Sequence, residues 1–418
     1  MNFDNYIIDI GRKAKDASRI MVTVSTITKN DALLNMAEAL IINKDTIIKE
    51  NMKDMELGRK NNLSLAMLDR LMINDQRIEK MAEGLKNVAN LQDPIGEGIK
   101  RWKRPNNLDI SMVRVPLGVI GMIYESRPNV TVDAAALCIK AGNSIILRGG
   151  TEAINTNKAL ASVIIEAATL VGLPEGCIQL IDKVDRELVN KLVKMNEYVD
   201  VIIPRGGKGL KKAIIANATV PVIETGSGIC HIYVDEDADL NMAQEIIINA
   251  KTQRPGVCNA VETVLVHKNV AGAFLPKLSK KLYELGVEIR ICEKGIGIIQ
   301  GAKAATDADW ATEYLDLILS IKIVNSMDDA INHIFEYGTK HSEAIITNNY
   351  TNSQRFLREV DASCVYVNAS TRFTDGAEFG FGAEIGISNQ KLHARGPMGL
   401  VQLTTTKYLI YGDGQVRK

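Results

Sequence analysis

The chain has 418 residues, 46% of them apolar and 24% charged, and its 50 basic side chains balance 50 acidic ones. That length predicts about two domains, while zero net charge excludes a general nucleic-acid binder, which needs a basic surplus to displace counterions. Aromatic residues at 5% speak against base-stacking platforms, and no apolar run approaches the ~20 residues that span a bilayer.

The opening stretch MNFDNYIIDIGRKAKDASRIM alternates charge with apolar residues at helical spacing. It lacks the basic-then-apolar order of a signal peptide, so a soluble, cytoplasmic protein is expected. From Asp31 to Glu56, apolar positions such as Leu33, Leu34, Ala37 and Leu40 recur at three- and four-residue steps, predicting a helix. A second helical stretch is predicted from Ser64 to Val88, and DPIGEG at 93–98 ends this part. The sequence LDISMVRVPLGVIGMIYE then alternates and becomes nearly continuous in apolar residues, the pattern of a strand buried in a parallel sheet. Helices predicted near 132–141, 152–171, 185–196 and 209–218 interleave with the strands SIILR, CIQLI, VDVIIP and PVIE. This alternation predicts an open α/β sheet. After Gly228 a new cycle begins with HIYVD, the helical DADLNMAQEIIINAK and the strand ETVLVH, and it continues to SCVYVN at 363–368. Residues 371–399 are Gly-rich with little periodicity, and LTTTKYLIY is a final β-branched strand.

Six cysteines (Cys138, Cys177, Cys230, Cys258, Cys292 and Cys364) are widely separated, so reduced thiols are expected rather than a disulfide framework. No H-x-x-x-H and no thiol cluster at zinc spacing is present, so no metal site is expected. The G-x-G-x-x-G fingerprint is also missing. Gly206 and Gly207 open a predicted helix whose N-terminus suits a cofactor phosphate, or they form an ordinary turn. Arg148 closes SIILR at the carboxyl edge of the sheet, where ligands bind. A cation there accommodates a ribose 2′-phosphate, unless it is a solvated loop residue. Cys258 lies in the loop TQRPGVCNA, four residues past Arg254, where a cation lowers a thiol's pKa toward the thiolate; the alternative is a buried loop thiol. Asn129, just after a strand and Pro128, either donates its amide to an oxyanion or caps the next helix. Glu224 ends PVIE before a glycine turn, a position for a general base or for an ordinary exposed carboxylate.

In this order, PLGVIGMIYESRPN, KAGNSIILRGG, LPEG, the glutamate–glycine segment and the cysteine loop resemble the aldehyde dehydrogenase superfamily over essentially the whole chain. The stretches VPLGVIGMIYESRPNVTVDAAALCIKAGN, CHIYVD, TQRPGVCNAVETVLVH and EFGFGAEIGISNQKLHARGPMGL narrow the resemblance to a branch that reduces an acyl phosphate in proline biosynthesis. The resemblance implies an aldehyde dehydrogenase-like α/β fold with two open α/β domains and a small oligomerisation β element. It places an NADPH-binding domain over 1–103 and 117–227, a catalytic domain over 228–392, and the oligomerisation element at 104–116 and 393–418. It makes Cys258 the nucleophile and Asn129 the oxyanion donor, and puts Arg148 and Glu152 at the cofactor ribose. Arg254, Arg127 and Lys251 flank the reacting residues and are expected to meet the substrate phosphate, Arg254 most closely.

The implied reaction converts L-γ-glutamyl 5-phosphate and NADPH to L-glutamate 5-semialdehyde, NADP+ and phosphate through a Cys258 thioester. Water has no part in that cycle, so Glu224 is expected to be positional. A hydrolytic, NAD-dependent relative would instead use it to activate water. A homodimer or tetramer is expected, and a separate glutamate 5-kinase, with which association is conceivable, would supply the acyl phosphate.

Overall fold

The N-terminal helices are delimited by side-chain amides and hydroxyls as much as by apolar spacing. In the computed structural model, which describes residues 3–417, they run Phe3–Met21, Thr26–Ile42, Lys44–Lys60, Leu65–Leu71 and Asp75–Asn90. Ser25, Ser64 and Asn74 cap three of them, accepting the N–H groups of Thr28, Met67 and Arg77 at 3.1, 3.3 and 2.9 Å. The stretches expected as single helices, 31–56 and 64–88, are each broken in two. Asn43 Nδ2 donates to the Ala39 carbonyl at 2.9 Å and closes one helix as the next begins. Buried Asn51 donates to Leu71 O at 2.9 Å and accepts from Ile73 N at 2.8 Å, holding the second break. Periodicity does not register such breaks, because the apolar stripe continues through them.

The chain divides into two units, Met1–Glu224 with Gly380–Gly386 and Met398–Lys418, and Thr225–Phe379 with Ile387–Pro397. The first unit contains β1 (Gly98–Lys103), β2 (Asp109–Pro116), β3 (Val119–Tyr124), β4 (Ser144–Arg148), β5 (Ile178–Leu180), β6 (Val201–Arg205) and the last strand of the chain, β16 (Thr404–Tyr411). The stretch 108–125 is two strands in two sheets. Gly118, at φ +124, makes the break, and its N–H is held by Asn143 Oδ1 at 2.9 Å. Strands β5-β4-β3-β6 form a parallel sheet, and β1-β2-β16 a separate antiparallel one. The chain moves out from β3 to β4 and β5, then returns on the other side of β3 as β6. The carboxyl ends of β3 and β6 thus flank a topological switch point, where open sheets hold ligands. Ile123, Ile146 and Ile202 pack on Ile7, Ile10 and Ala14 of the first helix. PVIE forms no strand; Val222 makes only an isolated bridge to Ile202.

The second unit carries β7 (Cys230–Val234), β8 (Val261–His267), β9 (Glu288–Ile291), β10 (Lys303–Ala304), β11 (Ile318–Val324), β12 (Ser342–Ile346) and β13 (Cys364–Val367). They form one parallel sheet in the order β10-β9-β11-β8-β7-β12-β13. Ile232, Val264, Phe274, Leu278 and Ile321 belong to its core. The Gly-rich stretch 371–399 adds only a 3-10 turn, Thr371–Phe373, and the short antiparallel pair β14 (Ile387–Ser388) and β15 (Gly396–Pro397).

These boundaries differ in places from those expected. Strand β1, assigned to the 1–103 domain, pairs with β2. Residues 380–386 group with the first unit, and 393–397 with the second. Residues 1, 2 and 418 of the expected domains lie outside the described residues. Among the described residues no helix is long and apolar enough to cross a membrane.

Candidate active site

Cys258 stands half-buried in the turn between the helix Leu240–Thr252 and β8. Four other thiols are set apart from it by burial. Desolvation pushes the pKa values of Cys138, Cys230 and Cys364 up, and that of Cys177 to about 12, which keeps them protonated. Cys292 accepts the Ile323 N–H at 3.3 Å on the far side of β11. Strands β7 and β8 start side by side, Cys230 opposite Val261, so the Cys258 turn lies at the amino edge of this sheet. The rule that ligands gather at carboxyl edges therefore does not single out the Cys258 turn.

Contacts from behind fix this turn. Cys230 Sγ donates to the Cys258 carbonyl at 3.2 Å. Gly228 passes so close that a Cβ built on it would overlap the Cys258 carbonyl and stand 3.0 Å from its Cα. The Gly228 N–H is anchored on Glu313 Oε1 at 2.7 Å. Buried Asn259 donates to Thr374 O at 2.9 Å, and its own carbonyl accepts from Thr371 Oγ1 at 2.7 Å. The backbone at Cys258 and Asn259 is thus held by two separate segments, 228–230 and 371–374, the first of them anchored by Glu313.

The cations expected around Cys258 are distributed differently. Arg254 is exposed on the same loop. Lys251 is not available to a phosphate: it is fully buried and its Nζ bonds Glu262 Oε2 at 2.7 Å. Burial pulls the Lys251 pKa down and pushes that of Glu262 up to about 7, with their mutual attraction opposing both shifts. A helical face explains the error, because Lys251 sits on the side of its helix that covers the sheet. Arg372, which the sequence reading did not single out, stands over the loop instead. Its Nε donates to Gln253 Oε1 at 2.9 Å and its Nη1 to Asn259 Oδ1. It lies in the aperiodic Gly-rich stretch, where no pattern announces which side chain turns inward.

In the first unit, the loop after β3 carries Asn129 at the start of the helix Asn129–Lys140. Asn129 does not cap that helix. Its Nδ2 donates to Asp133 Oδ2 at 2.8 Å, one turn on, which sets the plane of the amide. Burial raises the Asp133 pKa to about 6, against the opposing effects of this hydrogen bond and of Arg205. Ser126 in the same loop has φ 44, a left-handed conformation that costs a non-glycine residue about 1 kcal/mol or more. Glu152 Oε1 holds it there, accepting from both Ser126 N and Ser126 Oγ at 2.6 Å. Glu152 thus serves the Asn129 loop. Arg127, half-buried, accepts the Val130 N–H through its carbonyl at 3.0 Å.

Gly206 and Gly207 follow β6 at the switch point, yet they are not an open anion cradle. The Gly207 N–H, at the start of the helix Lys208–Asn217, donates to Glu125 Oε2 at 2.8 Å, so a carboxylate already meets that helix end. Arg148 ends β4 and is 8% exposed; its Nη1 bonds the Gly149 carbonyl and its Nε lacks an acceptor. Glu224 is exposed at the end of the first unit.

Residues 6–295 match the model of the aldehyde dehydrogenase family. The chain is 61% identical to a gamma-glutamyl phosphate reductase of Clostridium tetani and 62% identical to one of Clostridium novyi, each alignment covering 100% of both proteins. The crystal structure of gamma-glutamyl phosphate reductase from Thermotoga maritima superposes with a TM-score of 0.97 at 50% identity, over 99% of this chain and 100% of that one. An acetylating aldehyde dehydrogenase from Geobacillus thermoglucosidasius, 18% identical with a TM-score of 0.70 over 99% and 98% of the two chains, shares the fold. The chain belongs to the aldehyde dehydrogenase family and, within it, to the gamma-glutamyl phosphate reductases.

Proposed function

We propose that this protein reduces L-γ-glutamyl 5-phosphate to L-glutamate 5-semialdehyde with NADPH, releasing phosphate, as a step of cytoplasmic proline biosynthesis. The observation that carries the proposal is the half-exposed Cys258, held rigidly in a turn that also bears an exposed arginine. The Cys258 thiolate attacks the acyl carbon, and the C–O bond to phosphate breaks with its electron pair leaving on phosphate. A thioester remains. NADPH, when bound, supplies the hydride that reduces the acyl group. The resulting thiohemiacetal loses its proton, its C–S bond breaks, and the aldehyde departs with the sulfur restored. Splitting the displacement in two is the gain from covalent catalysis.

Asn129 Nδ2 and the Cys258 N–H supply hydrogen bonds to the oxyanion, a role worth ~3–4 kcal/mol per donor. Arg148 fits the adenosine ribose phosphate of NADPH, because a buried guanidinium with an unused N–H needs an anion. Arg254 meets the departing phosphate, with Arg127 as a further cation, and Glu224 has a positional role. The free edge of β16, with Tyr408, Ile410 and Tyr411 all exposed, supports pairing with a second copy of the chain. A glutamate 5-kinase supplies the unstable acyl phosphate, and direct transfer from it would limit hydrolysis.

The test runs the reaction backwards. Glutamate 5-semialdehyde should reduce NADP+ only when phosphate is present. Equal turnover without phosphate, with free glutamate as product, would establish the hydrolytic reaction instead. Arg254→Leu should raise the KM for phosphate about tenfold or more while leaving the KM for NADP+ unchanged.

Asp133 adds a pH dependence. Above about pH 6 its carboxylate accepts the Asn129 N–H in a charge-assisted bond; below it the carboxyl is protonated and the bond weakens. The profile of kcat/KM should fall toward acid with that midpoint, and Asp133→Asn should flatten the acid limb. For folding the sign is opposite. A raised carboxyl pKa contributes stability below the unfolded value, and that contribution is lost as pH rises through about 6.

A further inference from the structure

Of the six arginines of the second unit, Arg290, Arg355 and Arg395 hold carboxylates and the exposed Arg358 does not. Arg290 pairs with Asp309 at 2.5 Å, and Arg395 with Asp361 at 2.8 Å. Arg372 and Arg254 depart from this pattern. Neither has a carboxylate within ion-pair distance among the described residues. Arg372 is anchored only on two neutral amide oxygens, Gln253 Oε1 and Asn259 Oδ1, so it keeps its full charge. Those two residues bracket the nucleophile loop, one preceding Arg254 and the other following Cys258. Arg372 Nη2 has no protein acceptor among the described residues.

Burial and the like charge of Arg254 both hold the Arg372 guanidinium below its ordinary value, while the weaker pulls of Asp375 and the Cys258 thiolate work the other way. Arg372 feels both the Arg254 guanidinium and the Cys258 thiol, yet neither arginine has an ion-paired carboxylate among the described residues, and a partly buried cation without an anion is costly. Flexible surface chains would separate. Arg372 does not, because two hydrogen bonds and a backbone tied to Asn259 keep it in place.

We propose that Arg372 is a binding residue for the anionic leaving group, completing with Arg254 a two-arginine site for a phosphate dianion beside Cys258. The inference deepens the reductase reading and rests on it for the identity of the anion. Nη2 offers two N–H groups to the phosphate oxygens, and neutralising the departing dianion favours cleavage of the acyl C–O bond. The rigid tether matters as much as the charge. Arg254 is exposed and has no side-chain hydrogen bond among the described residues, whereas Arg372 presents its N–H groups already oriented, so less entropy is lost when phosphate docks.

The experiment uses the full-length enzyme with Arg372→Gln and Arg372→Lys. Cys258 is alkylated with iodoacetate, an anion, and in parallel with neutral iodoacetamide. Phosphate dependence is measured separately in semialdehyde oxidation. Arg372→Gln should lower the ratio of the iodoacetate to the iodoacetamide rate at least about fivefold, and raise the KM for phosphate about tenfold, with the KM for NADP+ unchanged. Arg372→Lys should recover part of both effects, since it retains the charge and loses the fork.

An unchanged reagent ratio overturns the proposal. So does an equal loss with both reagents that Lys fails to rescue, because that marks a collapsed loop. The alkylation ratio needs no substrate. If the wild-type enzyme proved to turn over without phosphate, the reductase reading would fail while the anion site would still be judged on its own readout.

Discussion

Cys258→Ser is expected to lower kcat at least about 10³-fold while leaving NADPH affinity within about twofold of the parent. The sulfur is asked for two things that a hydroxyl does poorly. A cysteine thiol near its ordinary pKa of about 8.5 already gives an attacking anion near neutrality, whereas a serine hydroxyl needs a dedicated base. The thioester also resists reduction far less than an ordinary ester would, since sulfur donates little electron density to the carbonyl. The loss corresponds to about 4 kcal/mol of barrier. Rate is followed through nicotinamide absorbance, cofactor affinity through NADPH fluorescence, and folding through circular dichroism. Normal turnover by the serine variant would end the proposal. So would an acyl adduct, trapped with substrate and no cofactor, that mass spectrometry placed on another side chain.

Gly228→Ala is expected to damage the enzyme nearly as much without touching a reacting atom. The new methyl group would fall on the Cys258 carbonyl, and backbone cannot rotate aside as a side chain can. Gly228 cannot retreat freely either, because its N–H is bonded to Glu313 Oε1 at 2.7 Å. The turn must shift by on the order of 1 Å or more. Displacements of that size typically cost about 10²-fold in rate, and overpacking a closed site costs about 1–3 kcal/mol of stability. Denaturant titration and kcat/KM measure the two losses. The control is Gly272→Ala in the helix Lys268–Glu284, where a Cβ meets nothing within 4 Å. That substitution should stabilise by about 0.5–1 kcal/mol, as alanine does in an open helical position. Equal behaviour of the two variants would show that the Gly228 approach does not constrain Cys258.

The sequence was most informative where one local pattern decides the outcome. Buried parallel strands need apolar residues on both faces, so SIILR, HIYVD and ETVLVH are recognisable, and each is a central strand in its sheet. Motif order was equally informative, since the ESRPN and PGVC loops mark the fold and its chemistry together. Local pattern could not place the helix breaks at Asn43 and Met72–Asn74, where one amide competes with the next backbone hydrogen bond. Nor could it separate β2 from β3 in an apolar run that crosses from one sheet to another through Gly118.

Sequence alone determined the fold class and the α/β alternation, because each is written in residue types at short, regular spacing, while the motif resemblance singled out Cys258 for the proposed chemistry. Tertiary structure alone decided which charges are usable. Lys251, seven residues before Cys258, is buried on Glu262, while Arg372, more than a hundred residues away, stands over the Cys258 loop. It likewise assigned Glu152 to the Ser126 turn and filled the Gly207 helix end with Glu125. The reason is common to all four. A charge's role depends on what solvates it once the chain is folded, and its solvating partners come from segments distant in sequence.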